Sequence, residues 1–389
     1  MAFIQLNTQV QDINVSRKGY DRSGKSYTIV NNTNRDVCDE YGVYRSMILD
    51  EKNIVTSFAP PKSFPEDVFF QKYGTDFVSD KFQMNQIIEG TMVNLFHNGE
   101  HWEISTKGAI GGHYWYYRNS YDEEDKKQMT FREMFVESLG YPCDTDFENI
   151  ELISSLPRDH IYSFVVQHPD NHIVLDILYP TVYLVSVFRK DTESIVEWIP
   201  LSTIENWTVF NGSKVLFPLR YTIEGGEIVS YASIDDLVNS VFNPGMMVTN
   251  VDSGDRLAIR NSEYLRIKDL RGNNPNMQYH FYSLMRAGQV PSFLEHFPKY
   301  EKIFAKFSKQ LHDFIRTIHD AYVLYYVQKR GKHIVIPQNI FTHIYKLHYD
   351  VHIPSLATGS KVIVTKKVVT DYIYSMEPKE IFYFINKKA

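Results

Sequence analysis

Cysteine is nearly absent from this chain, with two residues, Cys38 and Cys143, in 389. They stand far apart and form no CxxC pair. Neither a disulfide framework nor a cysteine-built zinc site is therefore indicated, and the two read as idle thiols in a reducing compartment. Long apolar runs are missing as well. A run such as residues 179–188 is too short to span a bilayer. The opening MAFIQLNTQV lacks the basic-then-apolar layout of a secretory leader. A soluble, cytoplasmic protein with no membrane association is expected. Neither GxGxxG nor GxxxxGK[ST] occurs, which removes the dinucleotide and P-loop readings.

Tyrosine (27) and phenylalanine (25) are plentiful, while tryptophan (4) is scarce. With many Asn, Ile and Lys residues, this composition suggests an AT-rich coding source such as a large DNA virus, placing the protein in a host cytoplasm or a virion. The 43% hydrophobic content is ample for a core, and the length suits two domains better than one. The net charge of −6 is unevenly spread. Residues 270–389 hold 17 basic and 8 acidic side chains, a net +9, so the remainder carries −15. A basic C-terminal third on an acidic body suits a polyanion-binding module. The alternative is a solvated helix surface.

Residues 1–39 are polar and read as an irregular lead-in. From Tyr44 the pattern is β: YRSMILD, a turn at EKN, then IVTSFAPP. A second hairpin, IIEGTMVNLF to HWEISTKGAI, turns at Asn98-Gly99, a pair that tolerates positive φ. A helix is expected over MTFREMFVESLG, with Thr130 as N-cap, Glu133 completing a capping box, and Gly140 at the C-terminal end. Strands IYSFVVQ and TVYLVSVFRK follow. SIDDLVNSVF reads as a helix capped by Ser233, and GMMVTNV and RLAIRN as a third hairpin. After Leu270, apolar residues at 293, 297, 300, 304, 307, 311, 314, 318 and 322 predict one long amphipathic helix. Further helical segments lie near 338–350 and 366–386. The division expected is 1–39 lead-in, 40–270 mixed α+β body and 271–389 basic helical domain, with the boundary at the turn-rich Arg271–Pro275.

The order of short motifs along 40–270 resembles the phage-type RNA ligases of the covalent nucleotidyltransferase superfamily, which also holds DNA ligases and mRNA capping enzymes. Arg45-Ser46-Met47-Ile48-Leu49 stands where that family has an Arg-Gly strand. Pro60-Pro61-Lys62-Ser63-Phe64 stands for its Pro-x-Lys-Phe-Phe segment. Ile87-Ile88-Glu89-Gly90-Thr91 occupies the Lys-x-Asp-Gly-Ser signature, and Ser105-Thr106-Lys107-Gly108-Ala109 the Ser-Lys-Gly-Ser hairpin end. Phe164 to Val174 follows the Phe-Glu-x-x-x-Pro-x-Asn-Arg-Ile-Val pattern. Pro244-Gly245-Met246-Met247-Val248 replaces Glu-Gly-x-Val, and Ala258-Ile259-Arg260 with Tyr264 replaces Lys-x-Lys with its Tyr. The resemblance implies a nucleotidyltransferase (ligase adenylation-domain) fold of antiparallel sheets with flanking helices, followed by an all-helical C-terminal domain.

It also implies a reaction. A neutral lysine amine attacks the α-phosphate of ATP, with Mg2+ offsetting the developing charge. The departures fall on those roles. Ile87 has no heteroatom to adenylylate, Val165 replaces the family's Glu, Pro244 the acidic residue of the Glu-Gly strand, and Ala258 the first lysine. Loss of the nucleophile alone removes most of the chemistry, because members of a catalytic unit act together. What remains is binding: Arg45, Lys62, Glu89, Lys107 and Arg260 are the candidate nucleotide- or phosphate-binding residues. No metal site is expected. Lys81 and Lys107 are candidate substitute nucleophiles. Three readings stay open: an RNA-ligase-like pseudoenzyme that binds RNA or DNA, an active ligase or capping-type enzyme using a displaced lysine with ATP and Mg2+, and a structural or assembly component.

Two other groups stand out. The GGHYWYY stretch from Gly111 could stack bases or pack as core. His312, His319, His343, His348 and His352 gather in the helical third at spacings that suit surface or core histidines better than a metal site.

Overall fold

A computed structural model of the chain describes residues 2–33, 41–75, 80–115, 128–221, 243–330 and 335–387, together with the backbone of 223–224 and 227–228. Two compact units result, Met1–Lys268 and Asp269–Ala389.

The first unit opens with strands β1 (Ala2–Gln5), β2 (Val15–Arg22), β3 (Lys25–Asn32), β4 (Arg45–Leu49) and β5 (Val55–Ser57), then helix α1 (Glu66–Tyr73). Strands β6 (Phe82–Gln86), β7 (Thr91–His97), β8 (Trp102–Thr106) and β9 (Ala109–Ile110) come next, then α2 (Phe131–Ser138) and α3 (Glu151–Ser155). After β10 (His160–Gln167), β11 (Thr181–Lys190) and β12 (Ile195–Ile199) stand α4 (Leu201–Ile204), β13 (Val215–Leu216) and β14 (Arg220–Tyr221). The unit closes with the short hairpin β15 (Ile223–Glu224) and β16 (Glu227–Ile228) and strands β17 (Gly245–Asn250) and β18 (Arg256–Arg260), and helix α5 (Ser262–Arg271) begins in it and ends past Lys268.

Three larger sheets result, antiparallel except for the parallel pairing of β13 on β11. The largest runs β1-β12-β11-β10-β7-β8-β9, the second β2-β3-β4-β5, and the third β14-β6-β17-β18. Alternation along β10 decides the layering. Tyr162, Phe164 and Val166 point into a core shared with α2, α3 and α4. Ile161, one residue out of phase, points the opposite way, into the core built with the second sheet. A central strand covered on both faces has few polar positions, and this one reads HIYSFVVQ.

Residues 2–32 are not the irregular lead-in expected from their polarity. They form β1, β2 and β3, and the β2–β3 turn is Ser23-Gly24, both at positive φ (50° and 76°). That geometry matches the strand twist of a two-residue hairpin. The sequence signal is weak because β2 is an edge strand with an almost wholly solvated surface. The Asn98-Gly99 hairpin forms between β7 and β8, with Gly99 alone taking positive φ (97°). Helix α2 carries the full capping box of Thr130 and Glu133. The SIDDLVNSVF helix expected after Ser233 lies outside the described residues.

Among the described residues the regular elements of the second unit are all helices: α6 (Met277–Arg286), α7 (Val290–His296), α8 (Glu301–Tyr322), α9 (Gln338–Lys346), α10 (Ile353–Ala357), α11 (Lys366–Tyr374) and α12 (Pro378–Asn386). The single long helix expected from residue 293 is instead broken. Phe297 leaves helical geometry (φ −129°, ψ 60°) and Pro298 opens a 3-10 turn before α8. Proline supplies no N–H and disfavours the helical conformation in the residue before it. The apolar spacing nonetheless survives the break, because Phe293, Phe297, Tyr300, Phe304, Phe307, Leu311 and Ile318 are all buried.

His343 on α9 is 1% exposed, edge-on to Phe314 and Phe384, with Nδ1 against the Tyr372 hydroxyl at 3.0 Å. Burial, aided by Lys346, pushes its pKa down to about 4. The folded protein therefore resists a proton that the unfolded chain accepts below pH 6.5. Stability is full above that pH and falls as pH drops from about 6.5 through about 4, by roughly 3 kcal/mol for this residue. In urea titrations of the helical signal at pH 7.5 and pH 4.5, His343→Phe should lose markedly less stability than the parent. Equal losses would reject the assignment.

Candidate functional site

The third sheet has two chemically distinct faces. On one, Phe82, Met84, Met246, Val248 and Leu257 pack with Phe69 of α1 into a small core. The alternate residues therefore share the opposite face, and the register sets them in rows. Gln83, Thr249 and Arg256 lie abreast, then Asn85, Met247 and Ala258. Gly245 and Arg260 follow, with the Ile87 amide donating to the Gly245 carbonyl. This polar face forms one side of a cleft of about 260 Å³. Apolar residues from the largest sheet and the loops around it line another part: Met92, Val165, Ile173, Val185, Phe188 and Trp198.

Arg45 enters the same cleft from β4 of the second sheet. Ser46 takes φ +58° at an irregularity in the β3–β4 ladder, its amide held by Asn31 Oδ1 and its hydroxyl donating to the Thr106 carbonyl. A serine thus holds a left-handed backbone of the kind that favours glycine. Such a kink re-aims the neighbouring side chain.

Arg45, Arg256 and Arg260 therefore converge from two sheets. Among the described residues none of the three forms a salt bridge. Burial lowers the pKa of each, most for Arg256, which is pushed down to about 9 with Arg45 and Arg260 adding repulsion. Arg256 NH1 donates to the Pro61 carbonyl at 3.2 Å, which spends only part of its hydrogen-bonding capacity. The Asn85 amide, 8% exposed, accepts from Gln83 through Oδ1 and keeps its Nδ2 without a partner. Unspent donors and mutually repelling cations in one cleft have the chemistry of an anion site.

Glu89 is the sole carboxylate among the residues lining the cleft, and it is engaged. Its Oε1 accepts the amides of Ile173, Val174 and Leu175 at 3.0, 3.0 and 3.2 Å, and the Tyr264 side chain is hydrogen-bonded to it as well. Its work is to pin the 173–175 loop. Among the described residues lining the cleft no carboxylate is left over to ligate the Mg2+ that the resemblance implies, so these residues do not fit it. Among the described residues no cluster of three or more His, Cys, Asp or Glu could hold a metal ion. Gly90 approaches β10 so closely that a Cβ would lie 2.4 Å from the Val166 carbonyl oxygen, at φ +153°. Only glycine lets the chain enter the cleft there.

Of the residues singled out from sequence, the cleft brings together Arg45, Ile87, Glu89 and Arg260. Lys62, Lys81 and Lys107 are not among its lining residues. Lys62 lines a neighbouring depression with Phe64 and Asp255, Lys81 precedes β6 on the surface, and Lys107 sits in the exposed β8–β9 turn. Lys107, a candidate substitute nucleophile, is thus exposed to solvent rather than part of the cleft lining. Arg256 and Lys268 also line the cleft and were missed. Counting back by the strand period from Arg260 would have found Arg256, and the i, i+4 step from Tyr264 on α5 would have found Lys268. Tyr114 packs against Phe131 as core, Trp115 is half-exposed, and Tyr116 and Tyr117 of GGHYWYY lie outside the described residues.

No family model matches the chain, and no curated protein matches it. Among solved structures it is similar to a putative ATP-dependent DNA ligase from Aquifex aeolicus, at 11% identity and a TM-score of 0.42, over 79% of this chain and 78% of that one. It is also similar to a Naegleria gruberi RNA ligase, at 10% identity and a TM-score of 0.37, over 55% of this chain and 60% of that one. The same ligase with ATP and Mn gives 10% identity and 0.38 over 56% and 60%. The chain thus spans about 60% of the Naegleria ligase. Among the described residues no helix is long and apolar enough to cross a membrane.

Proposed function

We propose that the first unit is an RNA-ligase-like binding module that holds a nucleotide, or the terminal phosphate of a nucleic acid, without forming a lysyl-AMP bond. One observation carries the reading: Arg45, Arg256 and Arg260 line one cleft beside an apolar wall, with no carboxylate among the described lining residues free to neutralise them. A nucleotide has both halves of that chemistry, a flat apolar base and clustered negative oxygens. Guanidinium groups bind such oxygens in pairs. Asn85 Nδ2 adds a donor for a neutral acceptor. At the position of the family's nucleophile stands Ile87, which has no lone pair to offer the α-phosphate. The net charge of the second unit supports contact with an RNA or DNA backbone, which weakens as salt rises.

A second reading has one specific observation behind it. Lys268 lines the cleft, whereas Lys81 and Lys107 do not. In an active enzyme its neutral amine would attack the α-phosphate of ATP, form an N–P bond and expel pyrophosphate. Incubation of the full chain with α-labelled ATP and Mg2+ or Mn2+, followed by denaturing electrophoresis, separates the two. The binding reading expects saturable, pyrophosphate-competed binding and no retained label. Label that survives denaturation and disappears in Lys268→Ala establishes the enzyme instead.

A further inference from the structure

The helical unit contains two π-helical turns, Val323–Val327 after α8 and Leu347–His352 after α9. Turns of this kind are rare and gather at functional sites. Here they meet through aromatic rings. Tyr326 stacks on His348 with centroids 3.8 Å apart and planes 12° from parallel. Tyr349 stands edge-on to Tyr326, and Tyr345 lies beside Tyr349 at 4.5 Å. Despite these contacts, Tyr345 and Tyr349 remain 49% and 48% exposed. Two large rings thus pack on neighbouring rings and remain about half exposed.

We infer that this surface is a base-stacking platform for single-stranded nucleic acid. A ring fixed by its neighbours loses little freedom on binding, and an exposed π-face accepts any base. The charge around the rings selects this occupant over a protein segment. Lys346 is exposed beside Tyr345, and Lys329 and Arg330 are exposed just after the first π turn. Among the described residues from 322 to 357, Asp350 is the one acidic side chain. On α8, Lys302, Lys306 and Lys309 are exposed at spacings of four and three, which put them on one face, while Arg316 further along pairs with Asp313. An apolar docking face would be depleted of such cations at its centre. A duplex hides its base faces, so the platform requires a single strand.

The inference shares with the proposed function only the polyanionic partner, and it uses no cleft residue. Fluorescence anisotropy of the full chain with a labelled 20-nucleotide oligo(dT), and with a 20-base-pair duplex of mixed sequence, tests it at fixed salt. The parent should prefer the single strand. Tyr345→Ala with Tyr349→Ala should weaken single-strand binding by about a hundredfold, roughly tenfold per ring. Duplex binding and ATP binding should hold within about twofold. Tyr345→Trp with Tyr349→Trp should retain single-strand affinity, which separates stacking from a structural role. An unchanged affinity in the double alanine variant overturns the platform and leaves the patch as a protein-docking face. Equal affinity of the parent for duplex and single strand overturns it too. ATP binding without oligonucleotide binding rejects the platform alone, and oligonucleotide binding without ATP binding rejects only the nucleotide reading of the cleft.

Discussion

Arg45→Met is expected to weaken ATP binding by between about ten- and a hundredfold, and Arg45→Met with Arg260→Met on the order of a thousandfold. The scale follows from charge-assisted hydrogen bonds, each contributing roughly 1.5–3 kcal/mol. The sign of the stability change is the sharper test. Both guanidinium groups are disfavoured by burial, and Arg260 adds repulsion at Arg45. A methionine keeps the apolar stem and removes a charge that folding opposes, so the thermal midpoint should hold or rise. Sites that sacrifice stability for binding behave this way when their charges are deleted. Arg256 is the informative contrast. Its bond to the Pro61 carbonyl would be lost as well, at a cost of about 1 kcal/mol, which offsets part of the gain. A fall of several degrees with unchanged ATP affinity would show that the arginines serve the fold. Isothermal calorimetry and scanning calorimetry on the same samples give both readings.

The second large effect lies across the largest sheet. Glu103 on β8 is 2% exposed and sits between two guanidinium groups. Its Oε2 accepts Arg22 Nε at 3.1 Å, and its Oε1 accepts Arg132 NH1 at 2.7 Å and the Ile104 amide at 3.0 Å. Arg132 also lies 3.8 Å over the Phe147 ring. One carboxylate thereby fastens β2, β8 and α2, elements far apart in sequence. Glu103→Ala leaves two partly buried cations facing each other without their counter-charge. Breaking a buried pair from one side costs about 3–5 kcal/mol, well above the value of a surface pair. Urea unfolding should therefore show a clearly lower midpoint, with Glu103→Gln intermediate because the amide oxygen still accepts. A loss below about 1 kcal/mol for the alanine variant would mean that solvent screens this triad.

Arg22 contributes from a hairpin whose polarity concealed it. Burial in β3 falls on Tyr27, Ile29 and Val30, too short a pattern to read against the solvated β2. The structural weight of the N-terminal residues appears only when β3 pairs with β4 and Arg22 reaches Glu103.

What the sequence by itself determined was local or additive. The Thr130–Glu133 capping box and the Asn98-Gly99 turn act over a few residues, so their chemistry can be read in order. Buried positions along α8 follow from apolar period, and the basic C-terminal third from counting charges. That Ile87 carries no heteroatom is a property of one side chain. Only the tertiary structure decided which side chains share the cleft. Arg45 comes from one sheet and Arg256 and Arg260 from another, and no local period relates them. It also turned Lys107 outward, left Lys62 and Lys81 off the cleft, added Lys268, and tied Glu89 to the 173–175 amides. The physical reason is that strand alternation specifies which face a residue takes, while packing between sheets specifies what that face meets.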